Sequence, residues 1–189
     1  AAQAEKTIQG LKSSNLVKDI YLLVTEDTEV PLQGCRILHV PALNSTATMR
    51  IIAAHSDADY TLFYTKYTTL KLGMFALERM TRIAEDSVAG MVYADHYQVS
   101  EGIQKNAPVI DYQFGSLRDD FNFGSVLLYK ASALQEAVTR MKTDYQFAGL
   151  YDLRLKLSQK ESLVHINEYL YSEIENDTRK SGEKIFDYV

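Results

Sequence analysis

The first half of the chain alternates between short apolar segments of strand length and segments with helical periodicity. Apolar or β-branched runs occur at residues 19–24, 36–40, 60–64 and 90–93. Between the last two, residues 76–84 place apolar side chains on one face of a helix. Strands that alternate with helices predict an α/β domain, with an open, mostly parallel sheet covered by helices on both faces.

The second half of the sequence is less regular. Residues 100–123 mix glycine, proline and polar residues, as in loops. Further strands are predicted at 125–129 and 163–166, and further helices around 134–141 and 150–157. The second half therefore does not repeat the pattern of the first.

Size and composition limit the function classes. The chain has 189 residues, of which 46% are hydrophobic, so residues 1–189 are expected to form a single domain. The net charge of −5 argues against a nucleic-acid partner. Cys35 is the only cysteine and can form no disulfide within the chain. No apolar run approaches the roughly 20 residues that span a bilayer. We expect a cytoplasmic protein, with the inner face of a membrane as one location.

Polar residues follow several of the predicted strands. Glu26 and Asp27 come after the first strand, Thr65 after the third and Asp95 after the fourth. Ligands of open α/β sheets bind at the carboxyl ends of the strands, so these positions are candidate site residues. A solvated acidic turn is the alternative for Glu26 and Asp27, and a turn-forming Asp is the alternative for Asp95.

An ordered set of sequence segments resembles the family 2 glycosyltransferases. Each segment is weakly specific by itself, but together they cover most of the chain in the family's order. The segments are Leu43-Asn44, Tyr60-Thr61-Leu62-Phe63, Ala76-Leu77-Glu78, Ala89-Gly90-Met91-Val92-Tyr93-Ala94-Asp95, Phe123-Gly124-Ser125-Val126, Tyr151-Asp152-Leu153-Arg154-Leu155 and His165-Ile166-Asn167-Glu168-Tyr169-Leu170-Tyr171.

The resemblance implies a GT-A-like, Rossmann-like fold that binds a nucleotide-diphosphate sugar. The implied activity is transfer of the sugar to a hydroxyl acceptor, with inversion at the anomeric carbon. A growing surface polysaccharide or a lipid-linked sugar is the implied acceptor.

The resemblance also implies the donor site. Family members carry an Asp-x-Asp at the end of the third strand, and its carboxylates hold a divalent metal, Mg or Mn, on the donor diphosphate. This chain has Thr65-Lys66-Tyr67 there, so a metal is doubtful and no residue is assigned to one. Lys66 would supply one positive charge instead. The implied donor-binding residues are Glu26, Asp27, Thr65, Lys66, Tyr67 and Asp95.

The implied catalytic base is Asp152, because an inverting transfer needs a carboxylate to take the acceptor's proton. An ordinary helical ion pair with Lys156 is the alternative role of Asp152. Arg118, Asp119 and Asp120 lie between Gly115 and Gly124, at a position that suits acceptor recognition or a mobile lid, and a salt-bridged surface loop is their alternative.

Family members begin with a strand that this chain lacks, since it starts in helix-like sequence. The resemblance therefore implies a fragment that is trimmed at both ends.

Two other functions compete with an active transferase. One is a binding or regulatory module that keeps the GT-A shape without catalysis, which the missing Asp-x-Asp favours. The other is a different doubly wound domain, such as a receiver or a nucleotidyltransferase-like protein, in which Glu26, Asp27 and Lys66 mimic an acidic cluster with a lysine.

The adjacent pair Asp95 and His96 gives only a weak metal-site pattern, because the other histidines lack ligand spacing.

Overall fold

A computed structural model describes residues 2–25, 32–118 and 121–175, and within them the chain forms an α/β fold. The helices are α1 (Ala2–Lys12), α2 (Thr46–Ala54), α3 (Ala76–Asp86), α4 (Ala131–Thr139) and α5 (Gly149–Ser158). The strands are β1 (Tyr21–Val24), β2 (Arg36–His39), β3 (Tyr60–Tyr64), β4 (Thr69–Leu72), β5 (Met91–Ser100), β6 (Ile103–Ala107), β7 (Val126–Lys130) and β8 (Leu163–Glu175).

The strands form two sheets, and the larger one is mixed. Strands β1 and β2 pair in parallel as a separate two-stranded sheet. The larger sheet has the order β3-β7-β5-β8-β4, with β6 also paired to β5. In this sheet β5 and β8 are parallel, and the other described pairs are antiparallel. The α/β class is confirmed, but the expectation of a mostly parallel sheet is wrong for the described strands. The strands of the irregular second half pair directly with those of the first half, mainly in antiparallel orientation.

Helices cover both faces of the larger sheet, as expected. One apolar core lies between the sheet and helices α2, α4 and α5, and the other lies on the side of α3 and α1. The first core includes Met49, Ala53, Leu134, Val138, Leu153 and Leu157, and the second includes Ala76, Met80 and Ala84 with the half-buried Leu11. No helix among the described residues is long and apolar enough to cross a membrane.

Strand β5 is longer than the sequence predicts. The pattern places Asp95 just past the end of the strand, but β5 continues to Ser100 because it pairs with β6 on one side and β8 on the other. The β5–β8 register shifts on both sides of Asp95. Such irregularities redirect side chains locally. Asp95 and His96 are both buried as a result of this pairing.

The N-termini of α2 and α5 approach each other very closely. Ser45 is the N-cap of α2, and its side chain accepts a hydrogen bond from the Thr48 amide at 3.1 Å. The Gly149 amide donates to the carbonyl of Asn44 at 2.7 Å. A Cβ atom on Gly149 would lie 2.3 Å from the carbonyl carbon of Ser45, so glycine permits this approach.

Candidate functional site

A group of polar side chains lies where the carboxyl end of β3 meets β7 and β8. The Thr65 amide donates to the Ser125 carbonyl at 3.0 Å, which ties the end of β3 to the start of β7. The next residue, Lys66, donates from Nζ to Oε2 of Glu173 at 2.6 Å. The Glu173 side chain is 4% exposed, whereas that of Lys66 is 45% exposed. Oε1 of Glu173 accepts a short hydrogen bond from the Ser125 hydroxyl.

His96 lies beside the same carboxylate. Its Nε2 is 3.4 Å from Oε1 of Glu173, and its ring stacks on Tyr171 at a centroid distance of 4.9 Å. Nδ1 of His96 is buried and has no hydrogen-bond partner among the described residues. Burial lowers the pKa of His96, and the positive charge of Lys66 acts in the same direction, against the opposing effect of Glu173. The imidazole is therefore neutral at neutral pH.

Tyr171 fixes the backbone at the start of β7. Its hydroxyl oxygen accepts hydrogen bonds from the amides of Ser125 at 3.0 Å and Val126 at 3.4 Å. Gly124 has a φ of +75°, and a Cβ there would lie 2.5 Å from this hydroxyl. Burial raises the pKa of Tyr171, so its phenol stays protonated.

A second polar group is centred on His165, which β8 places beside β5. Its Nε2 is 2.8 Å from Oδ1 of the buried Asp95, and its Nδ1 is 2.6 Å from Oδ1 of Asp111. The His165 side chain is 6% exposed, but that of Asp111 is 84% exposed. The imidazole therefore connects a buried carboxylate to one at the surface.

The same region of the sheet holds the backbone that follows β6. Oδ1 of Asp95 accepts a hydrogen bond from the Val109 amide at 2.8 Å. The Tyr93 hydroxyl donates to the Ile110 carbonyl and accepts from the Tyr112 amide, both at 2.8 Å. Burial raises the pKa of Tyr93 to about 12. Residues 109–112 are thus fastened to β5 by side chains.

The structure brings some of the expected site residues together. Thr65 and Lys66 belong to the group around Glu173, and the exposed Tyr67 follows them directly. Asp95 belongs instead to the group around His165. Its Oδ1 already contacts the Val109 amide and the His165 ring within the protein. Arg118 is exposed at the end of the second described range. Glu26, Asp27, Asp119 and Asp120 lie outside the described residues.

Among the described residues, the Asp152 side chain shares no hydrogen bond or ion pair with either polar group. It lies buried in the first turn of α5, with Oδ1 3.6 Å from Nζ of Lys156. Lys66 forms its ion pair with Glu173, and His165 contacts the carboxylate of Asp95. The helical ion pair that the sequence offered as an alternative for Asp152 is therefore present.

Sequence patterns give little indication of the residues at the centre of each group. Glu173 and His165 come from the last strand, far along the chain from Lys66 and Asp95. One sequence pattern does point to Glu173, which is a charged residue within the largely apolar run from Tyr169 to Ile174. A carboxylate inside a strand of that composition is expected to need a buried partner.

The part of the chain that the structure describes contains no group of three or more His, Cys, Asp or Glu side chains arranged to hold a metal ion. Comparison with known proteins gives no family, since no protein-family model matches the chain and no curated protein is significantly similar to it.

Proposed function

We propose that this chain is the donor-binding domain of a glycosyltransferase with a GT-A-like fold. It transfers a sugar from a nucleotide-diphosphate donor to a hydroxyl acceptor, with inversion. One observation carries the proposal: the half-exposed Lys66 is held by a buried carboxylate at the carboxyl end of β3. In open parallel sheets that end of the strands is where ligands bind, and we extend this rule to β3, whose neighbour β7 is antiparallel.

Lys66 is the proposed contact for the donor diphosphate. A lysine ammonium has three N–H donors, and the bond to Glu173 uses one of them. The other two remain for phosphate oxygens on the exposed side. The positive charge of Lys66 would stabilise the charge that develops on the leaving diphosphate, so the proposed reaction does not depend on a metal.

Asp152 is the proposed base of this transfer. The acceptor oxygen forms a bond to the anomeric carbon, and its proton passes to the Asp152 carboxylate. The bond between the anomeric carbon and the diphosphate oxygen breaks, and its electron pair leaves with the nucleoside diphosphate.

Nucleotide binding tests the proposal. Thermal unfolding would be followed with UDP, GDP, CMP and ADP, each with and without manganese. A nucleotide at about 100 times its dissociation constant stabilises the folded state by about 2.7 kcal/mol. We expect one diphosphate to raise the melting temperature equally with and without manganese. A shift that needs manganese would contradict the role of Lys66, and no shift with any nucleotide would contradict donor binding.

A matched pair of lysine variants locates the site. Lys66→Ala should remove the shift, whereas Lys71→Ala should retain it, because Lys71 is an exposed residue on β4. Both variants lose one positive charge, so a general electrostatic effect would weaken binding in both. Equal loss in the two variants would place the diphosphate elsewhere.

A second candidate function is a catalytically inactive module of the same shape that only binds or regulates. The favouring observation is that both proposed functional charges already have internal partners, Lys66 with Glu173 and Asp152 with Lys156. Such a module would bind a nucleotide but neither transfer nor hydrolyse the sugar. An active enzyme should lose sugar transfer on Asp152→Asn while keeping the nucleotide-induced shift in melting temperature.

A receiver domain is disfavoured, because its sheet is parallel, whereas the larger sheet here is mixed in the described strands.

A further inference from the structure

The pairing of β8, β5 and β6 places Glu173, Gln98 and Lys105 in one polar row on the same face of the sheet. Gln98 is the register partner of Glu173, and Lys105 is the register partner of Gln98. Paired residues on neighbouring strands project to the same face. The contact between His96 and Glu173 agrees, because residues 96 and 98 of one strand share a face. Lys66, which is bonded to Glu173, lies at one end of the polar row, and Lys105 lies at the other.

The polar row is open to solvent towards β6. Along β5, Gln98 and Ser100 are exposed, whereas Tyr97 and Val99 on the opposite face are half-buried. Lys105 is also exposed, and no carboxylate in the described part of the chain forms an ion pair with it. Its three N–H donors are therefore available to a ligand.

The spacing of the two lysines suits a diphosphate. Neighbouring strands lie about 4.8 Å apart, so the Cα atoms of Glu173 and Lys105, two strands apart, are separated by about 9.6 Å. The flexible stems of Lys66 and Lys105 carry their ammonium groups over this gap. The exposed Gln98 amide between them adds two N–H donors. A diphosphate has oxygens on two phosphorus atoms, so it can contact both lysines at once, which a single phosphate cannot.

We propose that Lys66 and Lys105 together hold a diphosphate, which lies across Gln98. Lys66 contacts one phosphate and Lys105 contacts the other, so the polar row selects a diphosphate over a single phosphate. The identity of the natural ligand, the diphosphate of the sugar donor, rests on the proposed function. The polar row itself is tested without any nucleotide, because inorganic pyrophosphate carries the same chemistry.

Two carboxylates share this face and act on the bound anion differently. Glu173 is buried, and its oxygens already accept hydrogen bonds from Lys66 and Ser125. Glu175 is the register partner of Ser100 and is exposed in the next row of the same face. Its charge repels a bound diphosphate, so Glu175→Gln should tighten pyrophosphate binding. Unchanged binding in this variant would place the anion away from the polar row.

Calorimetric titration of the intact chain with inorganic pyrophosphate and with phosphate, at constant ionic strength, tests the two-lysine site. We expect pyrophosphate to bind at least about tenfold more tightly, the factor for one additional charge-assisted hydrogen bond. Lys66→Ala and Lys105→Gln should each remove this advantage. Lys105→Gln keeps a polar side chain on the edge strand β6, which limits association between chains.

Lys71→Gln is the matched control for Lys105→Gln. Lys71 is an exposed lysine of the same sheet, but its register partner Ser172 precedes Glu173, so it projects to the opposite face. The control should bind pyrophosphate as the wild type does. Equal loss in the Lys71 and Lys105 variants would reduce the effect to general charge, and equal affinity of the wild type for phosphate and pyrophosphate would overturn the proposal.

Nucleotides separate the polar row from the proposed function. If a nucleoside diphosphate raises the melting temperature, Lys105→Gln should reduce that shift. A shift that depends on Lys66 but is unchanged in Lys105→Gln would overturn the polar row and leave the proposed function intact. If no nucleotide binds, the proposed function fails, and the pyrophosphate titration still decides the polar row.

Discussion

The close approach of α2 and α5 gives a sharp stability prediction for Gly149→Ala. Alanine has the higher helix propensity, by up to about 1 kcal/mol in a helix interior, so propensity alone predicts stabilisation. The new Cβ would lie 2.3 Å from the Ser45 carbonyl carbon and 2.4 Å from the Thr46 nitrogen. Contacts between carbon atoms are optimal at about 3.5–4.0 Å, so the two helix ends must separate.

The magnitude follows from the hydrogen bonds that cross this junction. The Gly149 amide donates to Asn44 at 2.7 Å, and the Thr46 amide donates to the Tyr145 carbonyl at 2.9 Å. A buried group left without its partner costs about 1–3 kcal/mol. Loss of both bonds, less the gain in propensity, predicts a net destabilisation of about 1–5 kcal/mol.

Urea unfolding followed by circular dichroism measures this change, with an unchanged m-value as the check for two-state behaviour. Gly10→Ala is the matched control, because Gly10 lies in α1 and a Cβ there would meet no described atom within 4 Å. That variant should stabilise the protein by about 0.5–1 kcal/mol. If Gly149→Ala falls within about 0.5 kcal/mol of the wild type, the junction is looser than these distances require.

Two further predictions concern a buried histidine and a strained residue. Because the folded-state pKa of His96 is lowered, the unfolded chain binds the extra proton as pH falls below about 6.5, so the wild type loses stability there. In urea titrations between pH 7.5 and 5.5, His96→Phe should lose less free energy of unfolding than the wild type. An equal loss in the variant and the wild type would contradict a lowered pKa of His96 in the folded state. Phe75 is exposed with a φ of 58°, and Phe75→Asn should raise the free energy of unfolding by about 0.5–1 kcal/mol, since Asn tolerates that conformation better. A lower melting temperature for Phe75→Asn would show that the Phe75 ring stabilises the fold by more than its backbone conformation destabilises it.

Local sequence patterns predict the helices and strands that are specified by their own residues. The run Tyr60–Tyr64 is a strand of β formers, and α3 has a clear apolar stripe, so both predictions are confirmed. Strands β4 and β6 were missed, because Thr69–Leu72 is short and Ile103–Ala107 is mostly polar and exposed. These two strands form through pairing with β8 and β5, which short-range patterns do not contain.

The candidate site is predicted only in part, for a related reason. The sequence places Thr65 and Lys66 at a strand end, and the structure has them there. Their partner Glu173 comes from the last strand, so only the three-dimensional pairing brings it near. The pattern puts Asp95 just past the end of a strand, but pairing on both sides extends β5 past it. Because of that extension, the Asp95 carboxylate contacts the Val109 amide and His165 inside the protein.

The parallel pairing of β5 with β8 has a consequence for the order of folding during synthesis. Strand β8 is the last described strand to leave the ribosome, yet it lies between β5 and β4 within the larger sheet. Until it emerges, β5 and β4 lack a shared neighbour, and the backbone N–H and C=O groups along the edge of β5 that faces β8 remain open to pairing with other chains. Contacts between distant parts of a chain form slowly, so nascent chains of this protein should depend on chaperones until β8 has left the ribosome.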